Sequence, residues 1–531
     1  MWINSLLSFV LAIGFCLLLI PVFRRFGVKM HIYTTPGGRH VNKSPIPRLG
    51  GAPVFISFLA ALCVVFFANG FFQWNLPQIA SQSRLFPLIS GATCIWLLGL
   101  LDDVRHIRAR YKLLAQIAVA AGMYSLGLQI QSIYFPVFGT LNLGDYSSLF
   151  TIFWIVGAIN AINLIDGIDG LCSGIVICSL LGILWMTVIS GVDMGMIICF
   201  ALIGCIMAFL VFNSHPATIF LGDSGAYFLG FMVAATPLFV AANNSSSGPG
   251  VFHVSFILFL LVPILDTGLT ILRRRITKIP MSTPDRGHLH HRLLDKGYSQ
   301  KKTMSIMFLF SLVFTASGIT IAVGTRWLET AAFVIAVATA YLMLRLCGAG
   351  SLKDLREKQA KRVTKAVRLK EYAPSLFYNL SDAADWTQGQ KILADFCLNT
   401  KMCMVNITCH KQTGNFNAWT WQNKLTSQCR RQPQISKTYT VFPESQTLQA
   451  LNGEVCYQFH FCWDSEYSTI QNDTDALLEI ISKTVGKTCH EKFSLSDIVF
   501  ERNEGRILSM GCYPQPRIPI TSAEKIHASG F

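Results

Sequence analysis

Leu149-Phe-Thr-Ile-Phe-Trp-Ile-Val-Gly-Ala-Ile-Asn160-Ala-Ile-Asn163-Leu-Ile-Asp166-Gly-Ile-Asp169-Gly170 decides how the rest of the chain is read. Residues 149–165 form an apolar run of nearly the length, about 20 residues, that a helix needs to cross a bilayer core. Asn160 and Asn163 are three apart and share a helix face. Asp166 and Asp169 repeat that spacing, and each is followed by glycine, which lets main chain come close to a ligand. A helix ending in glycine with polar capping is the plainer reading. Four polar side chains in so short a stretch exceed what a cap requires.

Working outward, comparable apolar runs cover 2–23, 51–69, 84–101, 113–130, 171–190, 194–212, 226–242, 251–272, 304–323 and 329–347. The expectation is an all-α polytopic membrane protein with about eleven transmembrane helices. Only 14% of the residues are charged against 52% hydrophobic, where soluble chains carry about 25% charged residues. The first run is not read as a cleaved signal, because Arg24 and Arg25 follow it and no Lys or Arg precedes it. Of the 22 Lys and Arg between Met1 and Cys347, all but Arg84 and Arg326 fall on one face if the amino terminus lies outside. The positive-inside rule then places the carboxyl-terminal tail in the cytoplasm. The same rule accounts for the net charge of +15, so no nucleic-acid partner is implied. Sixteen cysteines without a C-x-x-C pair indicate neither a zinc site nor a disulfide framework.

Topology does not account for the acids. Eight of the eleven Asp and Glu before Cys347 fall on that same inner face, and carboxylates near a membrane are costly unless paired, hydrated or bound to metal. Asp102-Asp103 ends one run. Adjacent carboxylates repel, so at least one wants a proton, a cation or a metal, and Lys112 follows on the same loop. Phe220-Leu-Gly-Asp223-Ser-Gly225 opens another run, where Asp223 could be a helix N-cap. Asp285-Arg286-Gly-His288-Leu-His290-His291-Arg292 has no cysteine, so it suits hydrogen bonding to phosphate or sugar better than a transition metal. Pro45-Ile-Pro-Arg48-Leu-Gly50-Gly51 makes a stiff turn in which Arg48 could meet phosphate or a lipid headgroup. The span centres are dry, whereas a transporter would place polar groups near the bilayer midplane. Chemistry at the membrane surface is the better reading.

Together, in this order, these motifs resemble those of the polyprenyl-phosphate N-acetylhexosamine-1-phosphate transferases, over about residues 1–347. The resemblance implies transfer of N-acetylhexosamine-1-phosphate, GlcNAc-1-phosphate first, from a UDP-sugar to undecaprenyl phosphate with release of UMP. It implies a bacterial inner (plasma) membrane location and a first step of O-antigen or other envelope polysaccharide synthesis. The phospho-MurNAc-pentapeptide transferase of peptidoglycan synthesis is the alternative within the family, and a lipid or nucleotide-sugar carrier the alternative outside it. Mg²⁺, with Mn²⁺ in second place, would neutralise the phosphates. Asp223 would be the metal ligand with Asn163 beside it, and Asp102, Asp103 and Asp166 the catalytic carboxylates. On the substrates would act Lys112 (a phosphate), Asn160, Asp169 (near the uracil), Arg48, and Arg286, His288, His290, His291 and Arg292 (diphosphate and amino-sugar).

Beyond Cys347 the apolar runs stop. Residues 348–375 read as a basic linker against anionic lipid. Residues 376–505 read as a small cytoplasmic α+β domain, with strands at 401–409, 415–421, 437–442 and 455–463 and helices at 380–398 and 473–488. Its expected role is regulation or docking of a cytoplasmic protein, with a fold-stabilising appendage as the alternative. Residues 506–531 read as a disordered tail.

Overall fold

In hydrocarbon, backbone N–H and C=O groups must be satisfied within the segment, so long apolar runs fold as helices. The computed structural model describes residues 2–34, 46–72, 84–105, 107–135, 139–244, 250–277, 287–348, 371–400, 402, 404–411, 414–422, 435–441, 456–463 and 478–485. The chain divides into two units, Met1–Arg356 and Glu357–Phe531.

In the first unit the helices are α1 (Trp2–Lys29), α2 (Gly51–Phe72), α3 (Leu85–Arg105), α4 (Ala109–Ser125), α5 (Ser147–Ile165), α6 (Leu171–Ile189), α7 (Asp193–Asn213), α8 (Gly222–Asn243), α9 (Ser255–Phe259), α10 (Leu261–Thr277), α11 (Leu289–Asp295), α12 (Gln300–Val323) and α13 (Arg326–Leu346). Nine of these, among the described residues, are long and apolar enough to cross a membrane: α1, α2, α3, α5, α6, α7, α8, α12 and α13. Eleven spans were expected, and the two shortfalls have physical causes.

The run at 113–130 folds only as far as Ser125. Gly127, at φ +91°, turns the chain out of α4, and strand β3 (Ser132–Phe135) follows. Even so, α4 runs back along α3. Lys112 at its start meets the end of α3, and Gly127 beyond its end lies beside Arg84, which precedes α3. The run at 251–272 is broken at Pro263. Proline has no N–H to offer the carbonyl four residues back, which is that of Phe259. That carbonyl instead accepts Ser179 Oγ at 2.6 Å. The Phe259 ring fills space left by Gly182 of α6 and Gly318 of α12, so the break between α9 and α10 is packed rather than loose.

α8 is the core of the bundle, buried without interruption from Ser224 to Ala242. It packs on α3 and α5, with Trp154 Nε1 donating to the Ala234 carbonyl at 3.0 Å. At the end of the bundle remote from Asp102, Arg84 donates to the Ala242 carbonyl at 2.8 Å. A small sheet also lies there, unanticipated from the sequence: β3 pairs antiparallel with β4 (Gly139–Asn142) and parallel with β5 (Val251–His253). A two-residue ladder joins β1 (Tyr33–Thr34) to β2 (Ile46–Pro47).

The second unit is α+β. Helices α14 (371–382), α15 (Trp386–Asn399) and α16 (478–485) accompany an antiparallel sheet ordered β7-β6-β9-β8. Its strands are β6 (Met404–Lys411), β7 (Gly414–Gln422), β8 (Ile435–Val441) and β9 (Cys456–Trp463), close to the expected runs. Val405 and Ile407, two apart on β6, share a core with Leu393, Phe396, Leu478 and Ile481, as a one-sided sheet requires. The linker expected at 348–375 lies outside the described residues over 349–370, as does the tail expected at 506–531.

Candidate active site

Gly222 and Ser224 at the start of α8 are buried, so its first N–H groups are poorly reached by water, and a helix start leaves four N–H groups without intrahelical acceptors. The sequence allowed Asp223 to cap them itself. Instead Asp103 of α3 does so. Its two oxygens accept from the Asp223 N–H at 2.8 Å and the Ser224 N–H at 3.0 Å. Asp103 is 5% exposed, so its charge rests largely on that helix start.

This arrangement frees the Asp223 side chain. Asn163 Nδ2 donates to its Oδ1 at 2.8 Å, and Oδ2 lies 4.0 Å from Lys112 Nζ. Lys112 also forms an ion pair with Asp102. Asp102 is fully engaged, accepting in addition from the Ile107 N–H at 2.9 Å and Tyr227 Oη at 3.3 Å. The Asp223 and Lys112 side chains are 22% and 24% exposed and form the open edge of the cluster, while Asp102 is closed off at 2%.

The Pro45–Gly51 motif, read as a turn, is the scaffold of this cluster. Gly50 and Gly51 donate to the carbonyls of Phe220 and Leu221 at 2.9 and 2.8 Å, and Phe220 donates to Pro47 at 2.8 Å. Gly222, at φ +73°, lies against the Arg48 carbonyl and the Asp103 carboxylate, where no side chain would fit.

Asp166 follows α5 at the same end. Burial, then the Asp223 charge, with smaller pushes from Asp103 and Asp169, raise its pKa to about 7; the Arg48 charge opposes them. Asn163, Asp223, Asp102, Asp103, Lys112, Asp166 and Arg48 thus form one electrostatic group. Two residues expected on the substrate are held by protein groups. Asn160 donates to Gln116 Oε1 of α4 at 2.7 Å and to its own helix at Val156. Asp169, 7% exposed, accepts from His215 Nδ1 at 2.9 Å and the Ala217 N–H at 3.2 Å, holding the loop that leads to Gly222.

The histidines approach from the other side of the Asp166–Gly170 turn. A methyl group added at Gly167 would lie 2.7 Å from His290 Nε2. His290 is 1% exposed, neither ring nitrogen has a hydrogen-bond partner among the described residues, and burial lowers its pKa to about 3, so the ring is neutral. His288 and His290 are near-parallel with centroids 5.6 Å apart, and His291 lies 4.3 Å from His290. Arg292 is tied to the Gly287 and Gly348 carbonyls, which makes it a strut of α11. Arg286 lies outside the described residues.

Sequence reasoning gave no site role to Tyr227, His215 or Asp266, the last counted only among the inner-face acids. Tyr227 had a signal, standing one helical turn after Asp223. So did Asp266, an acid inside an apolar run. His215 had none, since its partner is 46 residues away.

Glycosyl transferase family 4 matches residues 85–241, which carry the whole carboxylate cluster apart from Arg48. A probable undecaprenyl-phosphate N-acetylglucosaminyl 1-phosphate transferase of Bacillus subtilis is 31% identical over 344 residues, 64% of this chain and 91% of that protein. The chain belongs to glycosyl transferase family 4. A second relative in the family, the decaprenyl-phosphate N-acetylglucosaminephosphotransferase of Mycobacterium tuberculosis, is 33% identical over 52% of this chain and 72% of that protein. A phospho-N-acetylmuramoyl-pentapeptide-transferase of Carboxydothermus hydrogenoformans is 30% identical over 58% and 93%. Within this glycosyl transferase family 4 chain, the described residues hold no group of three His, Cys, Asp or Glu preformed as a metal cage. The available oxygens, Asp223 Oδ2 above all, suit a hard cation that completes its shell with phosphate and water.

Proposed function

We propose that this membrane-embedded phosphotransferase moves N-acetylglucosamine-1-phosphate from UDP-N-acetylglucosamine to undecaprenyl phosphate. The observation that carries this is the partly exposed Asp223–Lys112 edge, with the histidine loop one turn of chain away across Gly167. The names of the relatives supply the polyprenyl phosphate and the GlcNAc-1-phosphate. An oxygen of the lipid phosphate forms a bond to the β-phosphorus of the donor. The bond from that phosphorus to the bridging oxygen breaks, and the oxygen leaves with UMP.

Such phosphoryl transfer is mainly positioning and charge stabilisation. Lys112 holds a phosphate at the open edge. Asp102 keeps Lys112 in place; its full set of partners argues against a nucleophilic role and so against a covalent phospho-enzyme. A lipid phosphate is already largely ionised near neutral pH, so no strong base is needed. Asp223, with the Asn163 side-chain oxygen, would hold Mg²⁺, or Mn²⁺ in its place. Bound there, the ion offsets phosphate charge as a Lewis acid. Asp166 would share that role when ionised. Arg48 adds positive charge near the entering phosphates, and His288, His290 and His291 bind the diphosphate and sugar. Asp169 and Asn160 act by holding the turn between them.

The reading includes eleven crossings, with α4 and the broken α9–α10 as the two short ones. It also includes an external amino terminus, a bacterial plasma membrane, and a first step of O-antigen or other envelope polysaccharide synthesis. Purified full-length protein in detergent, given undecaprenyl phosphate, Mg²⁺ and a panel of UDP-sugars, tests it. The expected result is UMP release that needs both lipid and cation and is fastest with UDP-N-acetylglucosamine. UMP release only with UDP-MurNAc-pentapeptide would move the protein to the peptidoglycan branch, and no release with any donor would remove the transferase reading.

A further inference from the structure

α10 was expected to be an apolar span, yet Asp266, Thr270, Arg273 and Arg274 recur on it at the spacing of one helix face. Asp266, Thr270 and Arg274 are buried, and the Arg273 guanidinium packs where a side chain at Gly287 would stand. This stripe therefore faces the histidine loop.

Asp266 is its deepest member, 1% exposed. A carboxylate inside an apolar helix is costly unless something demands it. Its two oxygens serve two different groups. Oδ1 accepts the Leu289 N–H at 2.7 Å, at the first residue of α11, and Oδ2 lies 3.0 Å from His288 Nδ1. An ionised carboxylate only accepts hydrogen bonds, so the proton of His288 sits on Nδ1. The second nitrogen, Nε2, is then the one left for a ligand. Thr270 Oγ1, one turn further along α10 and 3.4 Å from the same Nδ1, closes the ring's protein side. His290 Nδ1, two residues on, lies 3.9 Å from the same Oδ2, too far for a hydrogen bond, and neither of its ring nitrogens has a hydrogen-bond partner among the described residues. One ring of the pair is fixed and the other is not.

We infer that Asp266 is a positioning residue for the donor side of the site. It starts α11 and fixes the ring and tautomer of His288, so that Nε2 is presented to the nucleotide-sugar. The ligand class, though not the pinning of the ring, rests on the function proposed above.

Asp266→Asn is the discriminating variant. Its single carbonyl oxygen can still accept the Leu289 N–H and keep α11 started. The amide N–H₂ then faces His288 Nδ1 and donates to it, which moves the ring proton to Nε2. ¹⁵N-histidine-labelled full-length protein in detergent, without ligand, reports this directly, with the His288 signals assigned through His288→Gln. The expected result is Nδ1–H in the parent and Nε2–H in Asp266→Asn, at a melting temperature close to the parent's. In turnover, Asp266→Asn should raise the KM for UDP-N-acetylglucosamine about tenfold, the scale of one charged hydrogen bond, and leave the KM for undecaprenyl phosphate within about twofold. Asp266→Ala, which loses both contacts, should add a fall in melting temperature to the same donor defect. An Nε2–H tautomer in the parent, or an unchanged tautomer and donor KM in Asp266→Asn, would overturn the assignment. A parent protein that turns over no donor, with the tautomer still inverting in the variant, would overturn the proposed reaction and leave the positioning of His288 standing.

Discussion

Asp103 and Asp266 are both buried acids that start a helix from outside it, yet they sit in two differently built halves of the site. On the carboxylate side the inner charges are closed by partners from neighbouring elements. Asp103 takes two N–H groups of α8, and Asp102 takes Lys112, Tyr227 and Ile107. Asp223 and Lys112, at 22% and 24% side-chain exposure, form the open edge. On the histidine side a single acid fixes a single ring, and His290 is left without a hydrogen bond among the described residues. Acids that are neighbours in space, though 120 residues apart in sequence, can thus have opposite duties. Asp103 holds structure while Asp223, whose N–H it holds, is the group that the proposed function presents to substrate.

The sharpest way to break that contrast is to remove one charge at a time. Asp223→Asn should lower kcat by about 100- to 1,000-fold, the scale of losing one preorganised electrostatic contact, without lowering the melting temperature. Both are read on the same detergent-purified protein. Asp103→Ala should do the reverse in kind. It leaves two buried N–H groups without acceptors, a loss on the order of 1–3 kcal/mol for each, and the melting temperature should fall along with activity. If the two variants lost activity with equal thermal cost, the division between presented and structural acids would not hold.

Much of this division was hidden from the sequence. The spans were legible because apolar length is a local property, and so were the motifs, because each lies within a few residues. Which acid caps α8 was not, since Asp103 and Ser224 are 121 residues apart and Asp223 itself fits the local cap pattern. Asn160 and Asp169 looked like ligands because they share the spacing of Asn163 and Asp166. Their partners, Gln116 and His215, lie on other elements that spacing cannot place. The break at Pro263 was legible in principle, since proline leaves a carbonyl free. That Ser179 would fill it was not.

A smaller effect sharpens the contact between the halves. Gly167→Ala puts a methyl group 2.7 Å from His290 Nε2. The ring must move, and donor KM should rise about tenfold, since tight sites tolerate little misplacement. Acceptor KM should stay level in the same assay.

The smallest expected effect concerns pH. Burial and the Asp223 charge hold the Asp166 pKa near 7, above its ordinary 3.8. The folded state therefore keeps a proton that the unfolded chain gives up at lower pH. The stability this group contributes is full below about pH 4 and is lost as pH rises through about 7. Without divalent cation, Asp166→Asn should match the parent's melting temperature near about pH 4 and exceed it by a few degrees near about pH 8. Thermal melts in EDTA at the two pH values check this, and a difference that does not grow with pH would contradict the electrostatic grouping of Asp166 with Asp223.

The central claim is that the phosphorus next to the sugar moves with the sugar onto the lipid. UDP-N-acetylglucosamine labelled with ³²P in its β-phosphate follows that atom. With full-length protein, Mg²⁺ and undecaprenyl phosphate, label is expected in the organic-extractable lipid and unlabelled UMP in the aqueous phase, and neither with Asp223→Asn. Label retained in released UDP would mean that the sugar–oxygen bond is the one cleaved, and would contradict the account.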